Sequence, residues 1–291
     1  MVGSIYLNQG LFPKAIHVFN EIYTIEERVY GEHDMRVAKT CKTIGILFSQ
    51  MGQYDKSTKA YERALKIELS VTGEDCIQVA ETFNTLGIVY GITQQNKKAL
   101  YCFKKSLQII YDLSQPVDID LASIHTNIGN LYVRKEDYHN AVDQYIQALE
   151  HEGNRDNSAR TYHSMGMANF HMNKYDDALS CFHHSMEIRK ASFNNHDEDL
   201  ARTLLTVARI YQIRGQHDKS IHAFQEAGEY VKKKYGPDDI KNADVIHNIG
   251  LVYSKKGDFN QSLVCHKSAL DKRLAILGKY IHFFFIIYFD F

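Results

Sequence analysis

One spacing constrains this chain more than any other property. Small residues stand at Gly3, Gly45, Gly87, Gly129, Gly166, Ala208 and Gly250, separated by 42, 42, 42, 37, 42 and 42 positions. Each heads the same comb of residues. Three positions on stand Tyr6, Phe48, Tyr90, Tyr132, Asn169, Tyr211 and Tyr253. Twelve positions on stand Ala15, Ser57, Ala99, Ala141, Ala178, Ser220 and Ser262. Sixteen on are Phe19, Tyr61, Phe103, Tyr145, Phe182, Phe224 and His266, and nineteen on are Ile22, Ala64, Ser106, Ala148, Ser185, Ala227 and Ala269. A period of this length means stacked supersecondary units, each burying its face on the next.

The offsets define the unit. Offsets −7, −4, 0 and +3 share one face of a helix at 3.6 residues per turn, and +12, +16 and +19 share a face of a second helix. Glycine or alanine at the contact lets two helix axes approach, and the aromatics fill the space beside it. The expected fold is all-α: a right-handed α-solenoid of antiparallel helix pairs over residues 1–280, about seven repeats. The first repeat is incomplete, because Gly3 belongs mid-way along its helix. Gly10, Gly52, Gly215 and Gly257 mark the turns, and Pro13 falls just inside a second helix. Pro116 and Pro237 fall between repeats. The single 37-residue step predicts a shortened connection near 151–158. The apolar tail 281–291 is too short to span a bilayer and lacks the polar face of a cap, so it reads as separate from the array.

At this point the units resemble tetratricopeptide repeats, as in VAKTCKTIGILFSQMGQYDKSTKAYERALKIE. The 42-residue period is similar to the repeats of the kinesin light chain family, whose units are joined by a YGxxHPxVA-type segment. Here Tyr30-Gly31-Glu32-His33 leads to Val37-Ala38, and Tyr235-Gly236-Pro237 leads to Ala243. The resemblance implies a groove whose asparagines hold a ligand's main chain; Asn84, Asn127, Asn130 and Asn248 match those positions.

The residues independently point to binding rather than chemistry. Offsets −6, −3, −2, +1 and +5 lie away from the packing face and should line a concave wall. Among them are Lys39, Lys42, Arg134, Arg160, Arg202, Arg209 and Lys255, against Glu81 and Asp244, a surplus of five positive charges. His163 shares that wall. Such a strip suits an acidic peptide or protein segment. Ile46, Ile88, Met167, Phe170, Leu205 and Leu251 offer apolar anchoring points. Lys42 also fits a chaperone-type carboxylate clamp, but Ile46 stands where that clamp needs an asparagine.

Other classes are disfavoured. The whole chain has 34 basic and 35 acidic residues, so no global charge draws it to nucleic acid or anionic membranes. Five cysteines without a CxxC suit a reducing cytoplasm. Cys102, Cys181 and Cys265 recur at offset +15, a small-residue packing column. Nucleotide-loop, nucleophile-elbow and HExxH motifs are absent, and His163 and His171 stand two turns apart. The expectation is a non-catalytic scaffold or adaptor without cofactor or metal. The alternatives are a regulatory or targeting arm of a larger, enzymatic protein, and self-association through open ends of the array.

Overall fold

The computed structural model describes residues 2–113, 119–151, 153, 155–192, 197–237 and 239–289. Among them fourteen helices and no strands are found. The chain divides into two compact units, Met1–His151 and Glu152–Phe291.

In the first unit α1 (Val2–Asn8) pairs with α2 (Phe12–Tyr30), and α3 (Met35–Gln50) with α4 (Tyr54–Thr72). Then α5 (Ile77–Ile92) pairs with α6 (Asn96–Asp112), and α7 (Leu121–Arg134) with α8 (Tyr138–Glu150). In the second unit α9 (Arg155–His171) pairs with α10 (Tyr175–Ala191), α11 (Asp197–Ile213) with α12 (His217–Tyr235), and α13 (Ile240–Lys256) with α14 (Phe259–Phe289). Odd-numbered helices are first helices and even-numbered ones second helices.

The comb of small and aromatic residues is the core. Gly45, Gly87, Gly129, Gly166 and Gly250 are all buried. The side chain sixteen residues on lies directly over each: Tyr61, Phe103, Tyr145, Phe182 and His266. A β-carbon on Gly87 would come within 2.7 Å of Phe103, and one on Gly166 within 2.7 Å of Phe182. Offset +12 is sealed, with Ala99, Ala141 and Ala178 at 0% exposure. At two serines of that column the hydroxyl is satisfied across the pair: Ser57 Oγ donates to Gly45 O, and Ser220 Oγ to Ala208 O, both at 2.8 Å. At offset +19, Ser106 Oγ donates to Ala80 O at 2.8 Å and Ser185 Oγ to Ala159 O at 2.7 Å. A buried hydroxyl thus finds an acceptor on the facing helix instead of opening a polar hole.

Every hairpin closes alike. The residue at offset +7 has a left-handed backbone in all seven: Gly10, Gly52, Gln94, Glu136, Asn173, Gly215 and Gly257, with φ between 59 and 86°. The following amide bonds the +3 carbonyl, as in Gln95 N to Tyr90 O at 2.8 Å and Gln216 N to Tyr211 O at 2.8 Å. This is the Schellman closure of a helix C-terminus, and it needs positive φ at that one residue.

The 37-residue step resolves differently from the sequence expectation. Between α8 and α9 lie residues 151–154, as many as the four that separate α2 from α3 or α4 from α5. The deletion is taken from α8 itself, 13 residues long against 17 to 19 for α4, α6, α10 and α12. A connection already four residues long has little slack to give, so the loss falls on the helix. Pro237 lies between α12 and α13, whereas Pro116 falls outside the described residues. The tail from 281 continues α14 to Phe289, and 290–291 lie outside the described residues. Among the described residues no helix is long and apolar enough to cross a membrane.

Candidate functional site

In the first unit the wall residues sit on α3, α5 and α7, but their charges are not all available. Lys39 is exposed on α3. One turn on, Lys42 Nζ lies 3.2 Å from Glu68 Oε1 and 3.5 Å from Glu81 Oε2. The expected groove cation is therefore neutralised within its own unit. Glu68, on α4, is 1% exposed, and its Oε2 has no hydrogen-bond partner. Asn84 on α5 buries an Oδ1 that likewise has no partner. Lys42, Ile46, Tyr61, Glu81, Asn84 and Asp120 help to line a cleft of about 410 Å³.

On α7, Asn127 is half-buried and Asn130 exposed. Asn130 Oδ1 accepts from the Tyr145 hydroxyl at 2.7 Å, so that oxygen is engaged within its helix pair. Arg134 donates through Nη1 to Gly91 O at 2.8 Å, tying α7 to α5. The threonines at offset −2 also turn inward: Thr43 and Thr85 donate to the carbonyls of Lys39 and Glu81. Ile46 and Ile88 remain exposed, at 43% and 41%.

The second unit gathers positive charge. Arg160 and His163 come from α9, Arg202 and Arg209 from α11, and Asn248 and Lys255 from α13. Arg160, Arg202, Arg209 and Lys255 are exposed; Asn248 is half-buried. Beneath the first two lies Arg189 of α10, 5% exposed. It donates to Ser185 Oγ at 2.8 Å and Thr203 Oγ1 at 3.2 Å, with Asp199 Oδ2 4.0 Å from its Nε. Arg202 pairs with the same aspartate. Burial pulls Arg189 below the usual guanidinium range; Asp199 opposes this, and Arg202 and Arg160 add to it. With Asp156 also in range, three guanidiniums face two carboxylates.

His163 reports that field. Its Nδ1 lies 3.0 Å from Thr203 Oγ1, whose own hydrogen goes to Asp199 O at 2.8 Å. Thr203 can then only accept, so His163 carries its hydrogen on Nδ1. Burial first, and then Arg189 and Arg202, hold the ring's pKa down to about 4. His163 is a neutral prop, not a groove cation. Met167, Phe170 and Leu205, expected as anchors, instead pack half-buried against the second unit's core, while Leu251 stays exposed at 40%.

Sequence reading missed Glu68 and Arg189, which both stand at offset +23. Ile110 and Val231 fill that column at 4% and 3% exposure, but Glu26 and Arg273 stand in it too. Charge in that column therefore gave no signal of burial. The cysteines lie in the packing: burial pushes Cys41, Cys102 and Cys181 up to about 11, leaving protonated thiols at neutral pH. Among the described residues no group of His, Cys, Asp and Glu is arranged to hold a metal ion.

The sequence profile described as tetratricopeptide repeat matches residues 1–70, 43–112, 120–191, 157–229 and 199–275. The chain is a tetratricopeptide repeat protein. This tetratricopeptide repeat protein is 26% identical over 133 residues to the photosystem I assembly protein Ycf3 of Prochlorococcus marinus subsp. pastoris, covering 45% of this chain and 69% of the relative. Its fold is similar to that of the C-terminal part of a TPR repeat-containing protein from Cytophaga hutchinsonii, with TM-score 0.66, 14% identity and coverage of 94% and 93%. It is similar also to YrrB, described as a TPR protein with an unusual peptide-binding site, with TM-score 0.53, 19% identity and coverage of 72% and 91%. A tetratricopeptide repeat array of this kind is a protein-interaction scaffold.

Proposed function

We propose that this protein is a non-catalytic adaptor of the cytoplasm that holds an acidic segment of a partner protein against the first helices of its second unit. The observation that carries this reading is the cluster of Arg160 and Arg202 over buried Arg189, with His163 kept neutral beside them. An arriving carboxylate relieves the mutual repulsion of these guanidiniums and gains charge-assisted hydrogen bonds. Arg209 and Lys255 extend the positive surface along α11 and α13. Asn248 supplies a donor and an acceptor for an extended main chain, as the resemblance to kinesin light chain repeats implies. The peptide site named for YrrB and the assembly role named for Ycf3 fit the same class of activity.

The test is fluorescence polarisation with a glutamate-rich octapeptide. Reversing Arg160 and Arg202 to glutamate should weaken binding at least about tenfold, and wild-type affinity should fall as salt rises. Indifference to both reversals and to salt rejects the acidic ligand.

A second reading, self-association, is favoured by α14. Leu263 and Leu270 are 55% and 54% exposed, whereas their equivalents Leu179, Met186 and Ile221 are 9%, 6% and 7% exposed. Sedimentation across a concentration series, with Leu263→Lys as control, tests it: a mass that does not change with concentration rejects it.

A further inference from the structure

The first unit has a different appetite. We propose that the cleft over α3, α5 and the start of α7 receives a cationic side chain, a lysine ammonium or arginine guanidinium of a bound chain. The inference rests on the reading of this protein as a peptide-binding adaptor, and it reverses the expected charge preference at this place.

The cleft has about 410 Å³, room for one long side chain and accompanying water. Its charge is negative despite Lys42. The cleft lining carries the carboxylates of Glu81 and Asp120 against the ammonium of Lys42, which is paired with Glu68 outside the lining as well as with Glu81. One acceptor is also left wanting. Asn84 Oδ1 is buried in the cleft lining without a partner. Buried acceptors are nearly always paired in folded proteins, by the protein, by water or by a ligand. A group with several hydrogens and a positive charge answers that deficit; a carboxylate does not and is repelled.

The walls fit the rest of such a side chain. Ile46 and the ring of Tyr61 give apolar surface for an aliphatic stem. Asp120 is part of the lining, and its carboxylate also caps α7 by accepting from Ser123 N at 2.9 Å. Glu81, with a side chain 50% exposed, can swing from Lys42 toward an incoming cation.

The test is an amide-resolved NMR titration of the full chain with four small probes: N-acetyl-N′-methylamides of lysine, arginine, glutamate and norleucine. The lysine and arginine probes should shift the amides of Glu81, Asn84 and Thr85 saturably, and bind at least tenfold more tightly than norleucine. Glu81→Gln combined with Asp120→Asn keeps the side-chain shapes and the α7 cap. It should weaken the cationic probes at least tenfold, with an unchanged thermal midpoint. Asn84→Leu, which fills the cleft, should do the same. Equal shifts from the glutamate probe, no preference over norleucine, or binding that survives both variants would each overturn the proposal. The glutamate-rich octapeptide and the Arg160 and Arg202 reversals report on the other unit. Failure there with success here sinks the acidic-segment reading alone.

Discussion

The ring of Tyr145 lies so close on the backbone of Gly129 that a β-carbon there would stand 2.6 Å from Cε1. The ring cannot readily withdraw: Tyr145 is 1% exposed, and its hydroxyl is bonded to Asn130 at 2.7 Å. Gly129→Ala should therefore destabilise by about 1–3 kcal/mol from overpacking, partly offset by about 1 kcal/mol of helix propensity. Tyr145→Leu in the same chain should recover part of the loss. Urea unfolding of the three variants checks this, and an alanine variant as stable as wild type would show the ring to be free to move.

Gln94 and Glu136 occupy a backbone conformation that other hairpins give to glycine, each at φ 59°. A left-handed residue with a β-carbon costs roughly 1–2 kcal/mol, and glycine in exchange costs roughly 0.5–1 kcal/mol of chain entropy. Glu136→Gly and Gln94→Gly should each stabilise by up to about 1 kcal/mol. Asn173→Gly should gain less, because asparagine tolerates this region. Chemical denaturation midpoints measure the order.

The two serines at offset +19 should respond unequally to alanine. Ser106 makes one cross-helix bond, to Ala80 O, and its loss should cost about 0.5–1.5 kcal/mol. Ser185 bonds Ala159 O and also accepts from buried Arg189. Removing it strips an acceptor from a charged donor, so Ser185→Ala should cost more, about 1.5–3 kcal/mol. Equal losses would mean that Arg189 is satisfied without it.

His163 should make the second unit acid-sensitive. Its folded pKa of about 4 lies below the ordinary 6.5, so above pH 6.5 the ring is neutral in both states and its contribution is complete. As pH falls from 6.5 toward 4, the unfolded chain takes up a proton that the folded chain refuses, and stability declines. Below that window the loss stops growing. The total is on the order of 3 kcal/mol. His163→Gln retains a donor for Thr203 and should flatten the stability profile between those limits. A profile identical to wild type would mean that the ring titrates normally in the fold.

The architecture was legible because its determinants repeat. A glycine facing an aromatic sixteen residues on is a local rule, readable wherever both members appear, as at Gly45 with Tyr61 and Gly87 with Phe103. The hairpin turns were legible only where glycine marks them; Gln94, Glu136 and Asn173 carry the same geometry without advertising it. The charged wall was the least legible part. First-helix periodicity says which way Lys42 points, but not that Glu68 comes up from α4 to meet it. Likewise Arg160 and Arg202 are visible as a strip, while Arg189 beneath them belongs to a second helix. Summing charge down columns of one helix omits what its neighbour contributes, and here that neighbour reverses the sign at one place and reinforces it at another.

The recurring left-handed residue at offset +7 has a consequence for how such a chain can change length. Since α3–α4 and α5–α6 close with the same stereochemistry, splicing Gly45 onto the segment after Gly87 would join two seams already cut to one pattern, whereas losing a single residue inside a hairpin would turn Tyr61 or Phe103 off its glycine. Growth and shrinkage by whole modules are therefore the cheap moves, and slippage by one is the forbidden one.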